Sequence, residues 1–215
     1  MNKKYVLSYH SIGNHYFSTR KSNFEKHLLI CKKTLSTDFI SNFDKPKSKF
    51  YITLDDGYID NYTVAFPLVK SKKQKLNIYI STKYIGKTFS FSRTKGLYQV
   101  LNSDMISEMA DSGFVEFGSH CHNHLDLSKL SKIKLEYEIE KSVDILEKII
   151  NKKVTSFAFP FYKINRKANS ILKKLGIQFV LCGPNSIFDN SNNNELYYIK
   201  RVPVINRFPY KYIFS

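Results

Sequence analysis

The stretch Phe50-Tyr51-Ile52-Thr53-Leu54-Asp55-Asp56-Gly57 decides how the chain is read. Its apolar, β-branched and aromatic run has the pattern of a buried strand. The two carboxylates therefore fall at the strand's C-terminal end, where a sheet opens to solvent. Neighbouring strand residues point to opposite faces, so Asp55 and Asp56 serve one site only if the chain bends there. Gly57 permits that bend. Adjacent carboxylates are costly unless a cation lies between them or one holds a proton. The stretch alone leaves two readings open: a metal or acid–base site, or a strand ending in an ordinary solvated turn.

Outward from this strand, periodicity divides the chain into alternating elements. Lys4 to Tyr9 reads as a strand ending at His10. Ser22 to Leu35 reads as a helix with Phe24, Leu28 and Cys31 (or Ile30) on one face. Asn61 to Lys72 is a helix that Pro67 kinks or shortens, and Leu76 to Ser81 a strand. Lys83 to Gln99 has no clean period and reads as a long excursion over the site. Asn102 to Ser112 is a helix closed by Gly113, followed by a strand over Phe114 to Phe117. Ser131 to Asn151 is the clearest helix, with Leu135, Ile139, Val143, Leu146 and Ile150 at helical spacing. Thr155 to Phe159 is a strand, Ala168 to Leu175 a helix, Gln178 to Cys182 a strand and Glu195 to Val204 a final strand.

This alternation predicts a mainly parallel sheet with right-handed crossovers. The expected fold is α/β, a distorted (β/α) barrel of about seven strands forming a single domain over residues 1–215. In such folds functional groups gather beyond the C-terminal strand ends. His10, Asp55, Asp56, His120 and Pro160 all fall there.

Composition sets the bounds. The 215 residues are 42% hydrophobic and 15% aromatic, which excludes a disordered chain. Lysine and arginine number 34 against 18 acidic residues, a formal net charge of +16. The basic residues are scattered without a run of five or six, so a solvated surface is the expectation and nucleic-acid binding is not. The three cysteines lie far apart with no Cys-x-x-Cys, indicating neither a disulfide framework nor a cysteine metal site. No apolar run approaches the ~20 residues of a membrane span, and the N-terminus has no signal-peptide core. A cytoplasmic location is expected. The basic, aromatic tail Arg207-Phe208-Pro209-Tyr210-Lys211-Tyr212 could touch an anionic membrane face.

After the fourth strand comes Gly118-Ser119-His120-Cys121-His122-Asn123-His124. His120 and His124 are four residues apart and reach one ion from a helical turn or compact loop. With Asp56 they make a two-histidine, one-carboxylate set that suits zinc or another divalent transition metal. His122 either replaces His120 in that set or points to solvent.

These segments together resemble the polysaccharide deacetylase family, carbohydrate esterase family four. Thr53-Leu54-Asp55-Asp56-Gly57 matches its Thr-Phe-Asp-Asp-Gly motif with one conservative change. His120-Cys121-His122-Asn123-His124 keeps both histidines of its His-Ser/Thr-x-x-His motif, with Cys where a hydroxyl is usual. Phe157-Ala158-Phe159-Pro160-Phe161 is similar to its Phe-Ala-Tyr-Pro-Tyr segment, with Tyr162 where Gly usually follows. Val6-Leu7-Ser8-Tyr9-His10-Ser11-Ile12 looks like the opening of the circularly permuted, poly-N-acetylglucosamine deacetylase-like branch. Ile199-Lys200-Arg201-Val202-Pro203-Val204 resembles its closing strand.

The resemblance implies hydrolytic removal of acetyl groups from an N-acetylated sugar or glycan. It assigns the metal to Asp56, His120 and His124: zinc first, with cobalt, nickel or manganese as alternatives. Asp55 is then the general base, the backbone N–H of Phe161 an oxyanion donor, and His10 the general acid. Arg201 orients Asp55 or binds substrate. Tyr58 and Tyr162 are the expected platforms for sugar faces. Rival readings are a non-catalytic carbohydrate-binding protein of the same fold and a basic nucleic-acid-binding protein. A zinc nucleobase deaminase lacks its Cys-x-x-Cys, and an aspartyl phosphatase would need Asp-x-Asp.

Overall fold

The computed structural model describes residues 4–13, 18–34, 36–46, 49–90, 96–186 and 196–204. In chain order the elements are β1 (Lys4–Tyr9), α1 (Lys21–Thr34), β2 (Lys49–Asp55), α2 (Phe66–Ser71), β3 (Leu76–Ile80), β4 (Thr88–Phe89), β5 (Tyr98–Gln99) and α3 (Ser103–Asp111). There follow β6 (Val115–Ser119), α4 (Lys132–Ile150), β7 (Ser156–Ala158), α5 (Asn169–Lys174), β8 (Phe179–Cys182), β9 (Tyr197–Lys200) and β10 (Val202–Pro203).

Eight strands form one sheet in the order β10-β1-β2-β3-β6-β7-β8-β9, each pair parallel. The final strand read from the sequence is divided at Arg201. Its first half, β9, pairs with β8, and its second half, β10, pairs with β1. The Arg201 N–H still donates to Cys182 O, and the Val204 N–H to Ser8 O. One extended segment thus spans the seam, and the sheet is a nearly closed barrel. The count is eight rather than about seven because this segment serves both edges.

Strands buried on both faces explain the largely apolar β2 and β3, whose polar residues Thr53 and Asn77 bond the neighbouring backbone at Leu7 O and Ile52 O. Leu7, Ile52, Leu54, Ile78, Phe117 and Phe157 pack outward under the helices with Phe24, Leu28, Leu135, Ile139 and Leu146. A smaller cluster including Val6, Tyr51, Tyr79, Leu181 and Ile199 belongs to the opposite strand faces. On α1 the core position is Cys31, fully buried beside Phe24 and Leu28; Leu35 lies outside the described residues. All three cysteines are buried and unpaired with each other.

Pro67 interrupts its helix as expected. Residues Asn61–Ala65 form a π-helical turn, and α2 resumes with Pro67 in its first turn, where a missing N–H costs nothing. The excursion over residues 83–99 carries its own ribbon, β4 antiparallel to β5; residues 91–95 lie outside the described set. Among the described residues, no helix is long and apolar enough to cross a membrane. The basic tail at 207–212 lies outside the described residues.

Candidate metal and catalytic site

β2 ends at Asp55, and the chain then doubles back. Asp56 and Gly57 both adopt left-handed φ angles of 74°. Gly57 suits that conformation, and a Cβ there would crowd the tip of Ile80. Both carboxylates therefore face the barrel mouth, as the bend required. Backbone strain is concentrated here. Among the described residues seven non-glycines have positive φ, and five of them surround this mouth: Asp56, Cys121, His124, Phe161 and Tyr162. Such strain persists only where surrounding structure holds it, and it clusters at functional sites.

The two aspartates meet different partners. Asp55 is 2% exposed and is gripped by Arg201, Nη1 to Oδ1 at 2.7 Å and Nη2 to Oδ2 at 2.8 Å. Arg201 is fully buried, its Nη1 also reaches Thr53 Oγ1 at 3.3 Å, and it lies between the rings of Tyr79 and Tyr162. Burial alone would raise the Asp55 pKa, but the Arg201 charge, then His120 and the two hydrogen bonds, pull it down to about 2. Arg201 thus positions Asp55, and its guanidinium is not a surface group.

Asp56 has no such cation. It is 3% exposed, and its Oδ1 lacks a hydrogen-bond partner while lying 3.2 Å from His124 Nε2 and 3.7 Å from His120 Nε2. One ligand atom from each of the three residues falls within 4.8 Å of the others. His120 Nδ1 lies 2.7 Å from Ala158 O, which places the proton on Nδ1 and turns the Nε2 lone pair toward Asp56. Burial outweighs the neighbouring carboxylates and lowers the His120 pKa to about 4, so the ring is neutral at pH 7. His124 arrives on a compact loop, with φ of 58° at Cys121 and 53° at His124. An orphaned buried carboxylate oxygen facing two imidazole nitrogens is the donor set that a divalent transition metal takes, so the residues present fit such an ion.

The remaining residues divide. His10, Phe161 and Tyr162 line the same cavity of about 120 Å³ with Asp55, Asp56 and both histidines. His122 is turned away: its Nδ1 lies 2.9 Å from Thr82 Oγ1 and its ring packs against Tyr137. Of the two, His120 is the histidine that lies beside Asp56. Tyr58 is a correction. It is 3% exposed, packed under the excursion with Tyr84 and Val100, and offers no face to a sugar. Its hydroxyl is bonded to Asp56, and burial followed by that carboxylate's charge raises its pKa. Phe161 takes the exposed place, 53% accessible with its ring edge-on to His124. Tyr162 bonds Ser8 Oγ through its hydroxyl at 3.0 Å and roofs Arg201. The carbonyl of Ala158 had no signal in the sequence, since a backbone acceptor carries none. The partner of Arg201 was signalled only by the acidic motif it serves.

These features define an α/β-barrel protein with a candidate metal site at the C-terminal strand ends. Residues 43–180 match the polysaccharide deacetylase family, and the chain belongs to that family. Among curated proteins it is 27% identical to YxkH of Bacillus subtilis (strain 168) over 211 residues, 93% of this chain and 70% of that protein. It is 29% identical over 171 residues to the poly-beta-1,6-N-acetyl-D-glucosamine N-deacetylase of Staphylococcus aureus (strain NCTC 8325 / PS 47), covering 73% of this chain. The chain spans about half, 54%, of the length of that staphylococcal relative. Among solved structures, BC0361, a polysaccharide deacetylase from Bacillus cereus, superposes with TM-score 0.77 at 26% identity, over 98% of this chain and 67% of that one. IcaB from Ammonifex degensii shares the fold, with TM-score 0.80 at 18% identity over 95% and 93% of the two chains.

Proposed function

We infer that the chain is one catalytic unit that hydrolyses N-acetyl groups on a glycan or glycan precursor, using a divalent metal, zinc first among candidates. The observation that carries this reading is the unpartnered Oδ1 of buried Asp56 facing two histidine nitrogens, one residue from a carboxylate already clamped by Arg201. Asp56, His120 and His124 would hold the ion. Such an ion supplies an activated water at neutral pH and polarises the acetyl carbonyl.

The chain's own residues do the rest. Asp55, ionised and fixed by Arg201, accepts the proton of the attacking water. Its low pKa makes it a weak base in isolation, so its contribution is position and charge. The Phe161 N–H, presented by the left-handed turn after Pro160, donates to the developing oxyanion; a donor of this kind is worth about 3 kcal/mol of barrier. His10, on the pocket wall, protonates the departing amine. The staphylococcal relative's named substrate supports a β-linked N-acetylglucosamine chain as the substrate class.

The test is acetate release from N-acetylglucosamine oligomers and an O-acetylated counterpart. Wild type, Asp55→Asn and His124→Ala would be run side by side with bound metal quantified. Loss of acetate in both variants, with metal lost mainly in His124→Ala, is the expected result. Bound metal without acetate from any substrate would point to a carbohydrate-binding protein instead.

A further inference from the structure

A second cavity, of about 530 Å³, opens beside the catalytic pocket. Lys83 and Tyr84 line it from the turn after β3, Leu125 from just beyond His124, and Ile133, Lys134 and Tyr137 from the start of α4. None of these residues takes part in the chemistry above. Leu125 is 41% exposed, Ile133 82% and Tyr137 48%. Single exposed apolar residues are ordinary; here three of them line one concavity. The Phe161 ring packs edge-on against His124. His124 lines the catalytic pocket, while its chain neighbours Asn123 and Leu125 line this cavity.

The cavity's lining carries two ammonium groups against one carboxylate. Lys83 and Lys134 line it, and Lys141 lies over the Tyr137 ring at 4.8 Å with its ammonium 2.6 Å from the hydroxyl. The acidic lining residue, Glu138, is 3% exposed, and its carboxylate accepts from the Asn123 backbone N–H at 2.7 Å and from the Asn123 side-chain amide. Its carboxylate is therefore held in the wall by amide donors, which leaves the lining net basic by one charge. Tyrosine faces suit the apolar face of a pyranose. Ammonium groups, which act as point charges rather than planar forks, suit phosphate.

We propose that this cavity is a distal subsite for a phosphate-bearing sugar unit of the glycan whose acetamide enters the catalytic pocket. The proposal rests on the deacetylase reading for the second half of that statement only. The turn 122–125 gives His124 to the catalytic pocket and Asn123 and Leu125 to this cavity, and the Tyr84 hydroxyl ties it by donating to Asn123 O at 3.1 Å. A ligand there contacts the loop that carries His124.

The test is calorimetric binding to the full, metal-free chain, so that phosphate cannot bind at a resident ion. The probes are N-acetylglucosamine 6-phosphate, N-acetylglucosamine, glucuronic acid and inorganic phosphate. The phosphosugar should bind about tenfold or more tightly than each of the others. The doubly substituted Lys83→Glu/Lys134→Glu chain should lose that preference. Tyr137→Ala should weaken both hexosamines by about tenfold. Acetate release from uncharged N-acetylglucosamine oligomers should be unchanged in the lysine variant, whereas in Tyr137→Ala its KM should rise with kcat unchanged. Equal affinity for the plain and phosphorylated sugar, a preference that survives the lysine substitutions, or equally tight binding of glucuronic acid or bare phosphate would each overturn the subsite. Phosphosugar binding that depends on Lys83, Lys134 and Tyr137 in a protein releasing no acetate would sink the deacetylase reading and leave the subsite standing. Normal acetate release without phosphate preference is the reverse case.

Discussion

Asp55 and Asp56 are consecutive, equally buried, and opposite in condition. Asp55 has a full-time cation: two hydrogen bonds from a fully buried arginine, itself held by Thr53 and two tyrosine rings. Asp56 has an oxygen with no partner and two imidazoles nearby, one of them neutral at pH 7. The contrast is between a carboxylate paired within the fold and one whose oxygen belongs to a donor set able to hold an ion. A closed ion pair completes itself on folding; an open donor set is complete only when loaded.

Breaking the closed half should cost most. Arg201→Met leaves Asp55 buried without its cation, and a loss of about 3–5 kcal/mol of folding stability is expected from urea unfolding. The doubly substituted Asp55→Asn/Arg201→Met protein should recover much of that loss, because both charges leave together. Full loss in the double variant would show that the arginine acts through packing instead.

The open half should respond in the other currency. Asp56→Asn should leave the metal-free protein within about 1 kcal/mol of wild type, while metal affinity falls by about 100-fold or more, read by chelator competition. Equal destabilisation by Asp55→Asn and Asp56→Asn would erase the contrast.

Acid should act next. Burial lowers the pKa of both His120 and His27 to about 4 from 6.5. The unfolded chain takes up these protons near pH 6.5, and the folded chain only near pH 4. Folding stability of the metal-free protein must therefore fall as pH drops through that window. The urea midpoint should be lower at pH 5 than at pH 7. Asp55 works in the opposite range, its stabilisation present above about pH 4 and lost only as pH approaches 2.

The smallest effect is expected at the roof. Tyr162→Phe removes the hydrogen bond to Ser8 and keeps the ring over Arg201, a cost of about 1 kcal/mol. Tyr162→Gly loses the ring as well, and the relief of a left-handed φ of 59° offsets only part of the lost packing. It should therefore be the less stable of the two and the less active, since only it opens the Arg201–Asp55 pair to water.

Much of this was legible beforehand. Alternating periods announced the parallel barrel, because buried strands and amphipathic helices have distinct repeats; α4 was read to within a residue at each end, from Lys132–Ile150 and its Asn151 cap. The Asp-Asp-Gly bend was legible because glycine permits it. The double service of the last strand was not, since pairing to both β8 and β1 is a property of closure rather than of local sequence. Tyr58 was misjudged for a related reason: its exposure depends on the excursion over residues 83–99, whose aperiodic sequence hides the β4–β5 ribbon that covers it. His122 could not be separated from His120 without Thr82, which lies 40 residues away.

The two carboxylates predict a cation at Asp56 and none at Asp55. The direct measurement is anomalous diffraction at the zinc edge from crystals of the metal-loaded protein. One peak within about 2.0–2.2 Å of Asp56 Oδ1, His120 Nε2 and His124 Nε2 is expected, with the Arg201–Asp55 pair intact beside it. A peak at His122, or well-ordered zinc-soaked crystals with no peak at the mouth of the barrel, would contradict the account.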